Sequence, residues 1–198
     1  FRQLFVPNIL SFTSEGKEFY FGAIRSPLQY WAPWRLEGGE GSVAASLGLS
    51  DVGKQVDDLL SPQRLLDILQ HFSLFTSNKR KQRIKMMCRF QQYEGANRIV
   101  DRVIAGKIKK GLIWHFQGSG KSLLMVFAAQ KLRKSKDLKS PTVIILVDRT
   151  DLDTQISSTF NAADVPNVVT TDSIKELQSL LEHDTRKIII SMIYKFRD

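Results

Sequence analysis

The chain has 198 residues, 42% hydrophobic and 25% charged, enough for one large or two small domains with a buried core. A net charge of +9 and a pI near 9.7 point to a polyanionic partner such as nucleic acid, and the single cysteine, Cys88, excludes an internal disulfide and fits a reducing compartment. No apolar run reaches the roughly 20 residues of a membrane span and the amino terminus has no signal-peptide layout, so a cytoplasmic protein without membrane contact is expected.

Residues 1–45 read as β-rich. Two runs, LFVPNILSFTS and EFYFGAI, carry β-branched and aromatic residues on either side of a polar turn at Glu15, Gly16 and Lys17, which predicts a hairpin. Tyr30, Trp31 and Trp34 follow, then a glycine-rich break, GGEGS, at 38–42. Such a cluster serves as core packing or as a base-stacking platform, and packing is the commoner outcome.

Residues 46–85 read as a helical linker. Leu59, Leu60, Leu65, Leu66, Ile68 and Leu69 surround Ser61 and Pro62, with Ser61 as N-cap and Pro62 at the first helical position. The run LLDILQHFSLF is expected to dock one helix on a neighbouring domain. The basic run Lys79, Arg80, Lys81, Gln82 and Arg83, with Lys85 and Arg89 nearby, is either a solvated face or a DNA contact.

From residue 86 to 198 helix and strand signals alternate. Tyr93, Ala96, Ile99, Val100 and Val103 recur at helical spacing between Gln91 and Ile108. Leu112, Ile113 and Trp114 read as a strand entering a glycine-rich turn, with a second helix after it. TVIILVD (142–148) has the character of a parallel strand buried on both faces, DLDTQISSTF (151–160) of a helix, and VPNVVT (165–170) of a third strand. Asp172 or Ser173 caps an amphipathic helix with Ile174, Leu177, Leu180 and Leu181, and RKIIISMIYKF (186–196) is a last strand. The alternation predicts an α/β fold with a parallel, doubly wound sheet.

The stretch LIWHFQGSGKSLLMVFAA (112–129) carries the chemistry. Strand, glycine-rich loop and helix in that order make a phosphate-binding P-loop. Gly118 and Gly120 let the backbone bend tightly and turn N–H groups toward a phosphate. Lys121 would set its ammonium on the β- and γ-phosphates, Ser122 its hydroxyl on Mg²⁺, and the helix its positive amino-terminal end on the anion. The motif G-x-x-x-x-G-K-[ST] asks for glycine at 115, where this chain has His115, but Gln117, Gly118, Ser119, Gly120, Lys121 and Ser122 fit. Apolar runs on both sides argue against a flexible GSGKS linker. Elsewhere, His71, His115 and His183 are too scattered for a metal site, and Ser14, Ser119 and Ser191 lack a paired base.

These segments together resemble the R subunit, the motor and nuclease subunit, of type I restriction endonucleases, which are superfamily 2 helicase-like translocases. CRFQQYEGANRIV (88–100) is similar to the stretch ahead of the P-loop in which an Arg and a Gln recognise adenine. On the pattern R-x-Y-Q-x-x-A, Arg89 and Gln92 match, Gln91 stands where Tyr is usual and Gly95 where Ala is usual, so either Gln91 or Gln92 faces the base. WHFQGSGKSLLM resembles the family's P-loop, in which a His commonly takes the first-glycine position. VDRTDLDTQI (147–156) resembles a DNA-contacting segment in which Asp148, Arg149, Asp151, Leu152 and Gln155 recur, and IIISMIYKF (188–196) a later DNA-facing strand end closed by Lys195 and Phe196. The amino-terminal hairpin is similar to the last strands of the family's nuclease domain.

The resemblance implies residues 1–45 from the end of a nuclease domain, a helical linker at 46–85, and residues 86–198 from the start of a first RecA-like ATPase domain. That domain would hold an incomplete parallel P-loop sheet with helices on both faces. ATP and Mg²⁺ are the implied cofactors, bound by Gln117 to Ser122 with Arg89 and Gln92, and Ser122 is the implied magnesium ligand. Arg149, Gln155 and Lys195 are the implied DNA contacts. The partners are double-stranded DNA and the methyltransferase and specificity subunits of the same restriction-modification complex. No catalytic residue is assigned: the acidic pair of such motors is expected after Asp198 and the arginine finger in a second RecA-like domain, and no Asp with Glu-x-Lys of the nuclease is recognisable, since Glu15-Gly16-Lys17 falls in a turn. The chain therefore reads as a fragment of an ATP-hydrolysing type I deoxyribonuclease subunit that by itself binds nucleotide without meaningful hydrolysis. The alternatives are another superfamily 2 DNA or RNA helicase, or a non-hydrolysing nucleotide- or DNA-binding module; His115 and the Asp-Arg-Thr-Asp-Leu run speak for the restriction motor.

Overall fold

A computed structural model of the chain describes residues 9–16, 18–35, 51–77, 82–148 and 150–196, and the side chains among them except those of 51 and 150–155. The chain forms two compact units, residues 1–93 and 94–198.

The first unit opens with the hairpin. β1 (Leu10–Ser14) and β2 (Phe19–Ala23) pair antiparallel, and β3 (Ala32–Pro33) adds to the far side of β2. Gly16 turns the chain at φ +92°, in the left-handed region that glycine enters without strain. Ser14 holds the turn together: its hydroxyl accepts from the Gly16 N–H at 3.0 Å and donates to the Glu18 carbonyl at 2.7 Å. Period-2 alternation buries Phe19 and Phe21 on one face. Trp34 is fully buried, packs edge-on to Phe21 and Phe90, and donates its indole N–H to Asp58 at 2.7 Å. Packing is thus what Trp34 does; stacking on bases would need an exposed ring face.

Two helices follow, α1 (Asp51–Leu60) and α2 (Pro62–His71). Pro62 begins α2 as expected, because its missing N–H is one the first turn leaves unbonded anyway. Ser61 stands at the N-cap but does not cap with its side chain; its hydroxyl donates back to the Asp58 carbonyl at 2.9 Å. The expectation of helix and linker fails beyond His71. β4 (Ser73–Ser77) and β5 (Arg83–Met87) form an antiparallel hairpin. Ser73 marks the change, its hydroxyl taking the Leu69 carbonyl at the end of α2, and from there Leu74 is buried and Phe75 exposed in strand alternation. Residues 79–81 of the basic run lie outside the described residues. Arg83 sits over the Phe75 ring across the hairpin, 4.6 Å from its centroid.

The helix α3 (Phe90–Ala105) runs from the first unit into the second. The second unit then places α4 (Lys121–Lys134), β6 (Val143–Val147), α5 (Thr150–Ala162), β7 (Val168–Thr170), α6 (Ile174–Glu182) and β8 (Ile188–Met192) in turn. The three strands form a parallel sheet in the order β6-β8-β7, with Val143 opposite Ile188 and Val168 also opposite Ile188. The α/β alternation and the parallel pairing match the sequence expectation. Ser173 is the cap of α6, accepting from the Glu176 N–H at 3.2 Å, while Glu176 reaches back to the Asp172 N–H at 2.9 Å.

Two strand expectations need correction. The strand buried throughout is β8, because it lies between two others; β6 borders the described sheet and leaves Ile144 and Leu146 exposed. Leu112, Ile113 and Trp114 form no strand at all, and Leu112 and Trp114 are 87% and 89% exposed. A strand exists only where a neighbour completes its ladder, and no described strand lies beside this segment.

Candidate functional site

The P-loop forms as a loop that delivers the chain into a helix. Residues 117–119 turn, with the Ser119 N–H reaching the Phe116 carbonyl at 3.3 Å, and α4 starts at Lys121. Gly118 and Gly120 have φ of +80° and +85°, which a residue with a Cβ adopts only under strain, so both glycines are there for their backbone. Gly120 is the N-cap of α4 and carries no side-chain acceptor, and the first helical bond runs from the Leu124 N–H to its carbonyl at 3.1 Å. The start of α4 therefore has no capping side chain, the arrangement in which a helix amino terminus is open to an anion.

Lys121 is exposed at the first helical position and curls back over the loop. Its ammonium donates to the carbonyls of His115 at 3.1 Å and Phe116 at 2.9 Å. Ser122 follows at the second helical position, half-buried. Ser119 is buried: the residue is 1% exposed and its hydroxyl has no hydrogen-bond partner among the described residues. The Nδ1 of His115 is likewise buried and unpartnered. Two orphaned polar atoms in one loop are unusual, because buried polar groups are nearly always bonded.

Behind the loop, α4 buries Leu124, Val126, Phe127, Ala128 and Ala129. Leu124 lies so close to α3 that a Cβ on Gly95 would fall 2.6 Å from its Cδ1, and 3.6 Å from Cε1 of His115. Glycine at 95 is thus a matter of space. The donors on this loop, namely an ammonium, a helix amino terminus, a hydroxyl beside it and an orphaned hydroxyl, suit a phosphate chain with its magnesium ion.

The remaining site candidates fall in different places. Arg89 and Gln92 lie in the first unit, at the start of α3. Gln92 is 2% exposed and its Oε1 accepts the Arg89 backbone N–H at 2.8 Å. This is the return half of a capping box, a glutamine at the third helical position serving the N-cap residue; with Arg89 rather than Ser, Thr, Asp or Asn at the N-cap, the sequence carries only half of the signature. Gln91, the other candidate, is half-buried. Arg149 and the side chain of Gln155 lie outside the described residues. Lys195 does not present its charge at the surface: it is 7% exposed and its ammonium donates to the Thr171 carbonyl. Beside it the Thr171 hydroxyl donates to that of Ser191 at 2.9 Å, both residues being buried. Lys195, a DNA-contact candidate by the family resemblance, thus sits here in a buried polar cluster that closes the carboxyl end of β8.

Among the described residues no group of three His, Cys, Asp or Glu could hold a metal ion, and no helix is long and apolar enough to cross a membrane. Cys88 is buried, and burial pushes its thiol pKa up.

Comparison with known proteins shows the family. The SWI2/SNF2 ATPase family matches residues 91–198. The chain is 33% identical, over 165 residues, to the type I restriction enzyme HindI endonuclease subunit of Haemophilus influenzae, an alignment covering 81% of this chain and 16% of that protein. It is 39% identical over 85 residues to the SsaAORF53P endonuclease subunit of Staphylococcus saprophyticus, and 38% identical over the same length to the SauCOLORF180P subunit of Staphylococcus aureus, in each case 43% of this chain and 9% of the relative. The chain thus spans a small part of the length of these relatives. It belongs to the SWI2/SNF2 ATPase family and is helicase-related within superfamily 2, with relatives among the endonuclease subunits of type I restriction enzymes.

Proposed function

We propose that the chain binds ATP with Mg²⁺ through the loop from Gln117 to Ser122, as part of the ATP-dependent DNA-translocating and DNA-cleaving subunit of a type I restriction enzyme. The observation that carries this reading is the loop itself, two left-handed glycines delivering Lys121 and Ser122 to the start of α4. Lys121 would exchange two backbone carbonyls for phosphate oxygens, Ser122 would ligate Mg²⁺, and the ion would neutralise charge on the phosphates. Arg89 and Gln92 are the proposed adenine-side residues, Gln92 with a second duty at the start of α3. Arg149 and Gln155 are the proposed DNA contacts, while Lys195 holds the end of β8. The methyltransferase and specificity subunits are the proposed partners in the full assembly, where ATP closure would drive movement along duplex DNA.

The chain's own contribution is binding and charge neutralisation. Phosphoryl transfer at a motor's rate also needs an acidic pair and an arginine finger, so binding without appreciable hydrolysis is expected of these 198 residues. Calorimetric titration with MgATP tests the reading. Lys121→Ala removes a charge-assisted contact worth about 1.5–3 kcal/mol, roughly ten- to a hundredfold in Kd. Equal affinity in the two proteins would refute phosphate recognition by this loop, and a motor-like ATPase rate would refute the restriction to binding.

A further inference from the structure

The chain's positive charge is concentrated in one place. Ten of its 29 Lys and Arg, but only two of its 20 Asp and Glu, fall between Asp101 and Lys139. One of the ten, Lys121, belongs to the P-loop; the other nine lie elsewhere. Arg102, Lys107, Lys109, Lys110, Lys134 and Lys136 are all exposed.

The fold brings these cations to one edge. Gly95 on α3 lies beside Leu124, in the first turn of α4, and beside His115. Farther along both helices, Lys131 donates to the Asn97 side chain at 2.6 Å, so α3 and α4 advance the same way, away from the P-loop. Arg102 lies about 10 Å beyond Gly95 on a rise of ~1.5 Å per residue. There it donates to the Lys110 carbonyl at 2.7 Å and lies against Gly111, which pins the segment 107–111 at the far end of α3. The carboxyl end of α4 is placed by Arg133, which donates to the Pro166 carbonyl at 3.2 Å, just ahead of β7. The turn at 136–139 then leads into the start of β6. The carboxyl end of α4 and the turn at 136–139 therefore lie toward the amino-terminal edge of the parallel sheet, and the segment 107–111 lies at the matching far end of α3. Lys195 and Thr171, by contrast, lie at the carboxyl ends of β8 and β7.

Helix electrostatics explain only part of this. Cations in the last turn of a helix complement its dipole, which accounts for Lys131, Arg133 and Lys134. The dipole does not reach Lys107, Lys109, Lys110 or Lys136. A face with this density of one sign repels itself, and a polyanion laid across it relieves that repulsion and releases counterions.

We infer that this edge, built from Arg102, Lys107, Lys109, Lys110, Lys134 and Lys136, is a second nucleic-acid surface that grips the phosphate backbone of duplex DNA without reading its sequence. It rests on the DNA-acting reading above and adds a contact surface away from the P-loop. Lysines without a fixed fork suit such holding contacts, because they meet phosphates as mobile point charges.

The test uses the whole chain and a fluorescein-labelled duplex, with anisotropy followed from low to moderate salt. A variant with Lys107→Gln, Lys109→Gln, Lys110→Gln and Lys136→Gln should bind duplex at least about tenfold more weakly at low salt. The slope of log affinity against log salt should fall by about 0.9 for each phosphate that is no longer neutralised. MgATP affinity should stay unchanged, and the same four positions as arginine should restore duplex binding. Lys121→Ala, which tests the nucleotide reading, should leave duplex binding intact, so the two readings fail separately. An unchanged duplex affinity and slope in the glutamine variant would overturn the inference, as would absence of duplex binding by the parent chain. Loss of polyglutamate binding with duplex binding retained would also overturn it, and would give the face to an acidic protein.

Discussion

Replacing Ser119 with alanine separates what the P-loop does for the fold from what it does for a ligand. The Ser119 hydroxyl is buried with no partner among the described residues, in a residue 1% exposed. An unsatisfied buried hydroxyl costs about 1–3 kcal/mol, so deleting it should stabilise the nucleotide-free protein by about 1 kcal/mol once the lost packing is subtracted. For a chain of this size that is a rise of roughly 2–4 °C in the midpoint of the unit carrying the loop. With MgATP the sign reverses. A hydroxyl donating to a phosphate oxygen contributes about 1.5–3 kcal/mol, so the variant should bind ATP roughly tenfold or more weakly. Thermal melts with and without MgATP read both effects, and calorimetry gives the affinity directly. A nucleotide-free variant less stable than its parent, together with unchanged ATP affinity, would refute the reasoning, since the hydroxyl would then be satisfied in the free protein and idle in the complex.

Two further outcomes follow from packing and from burial. Gly95→Ala gains up to about 1 kcal/mol of helix propensity but drives its Cβ to 2.6 Å from Leu124 Cδ1, so it should destabilise by about 1 kcal/mol in urea unfolding. In a Leu124→Ala background the same change should stabilise, a coupling of about 2 kcal/mol; additive effects would show that the two helices have room to spare. Cys88 keeps its proton in the folded state to higher pH than in the unfolded chain, because burial raises its thiol pKa. Its contribution is fully present below about pH 8.5, the unfolded value, and is lost as pH rises above it, by up to about 1.4 kcal/mol per pH unit. Stability measured from about pH 8 to about pH 10.5 should therefore fall more steeply in the parent than in Cys88→Ala, and parallel curves would contradict a buried thiol.

The P-loop and the buried core assign separate tasks to residues of similar chemistry. Lys121 and Lys195 are both lysines at element ends, yet one is exposed over the glycine-rich loop and the other is buried against the Thr171 carbonyl. Gln92 shows the same division within one side chain: an amide suited to reading a base also closes the first turn of α3. Residues proposed for function therefore also hold the fold, and substitutions at Gln92 or Lys195 should be judged on stability before they are judged on activity.

The sequence by itself determined whatever a few neighbouring residues settle among themselves. The Ser14–Gly16 turn, Pro62 at the start of α2, the Ser173 cap of α6 and the two left-handed glycines of the P-loop each depend on bonds spanning four residues or fewer, or on backbone sterics alone. Alternating helix and strand periods were legible for the same reason, and with them the parallel α/β character of residues 94–198. The tertiary structure decided what depends on distant partners. SLFTS became β4 because RIKMM lies beside it, and β8 rather than β6 became the enclosed strand because it has a neighbour on each side. Leu112 to Trp114, as apolar as any strand here, stayed without a ladder because no described strand flanks them. Lys195 turned inward because the carbonyl that receives it belongs to the end of another strand. Pairing, burial and the direction of a charge are set by which segments meet, and that is a property of the folded chain rather than of any stretch within it.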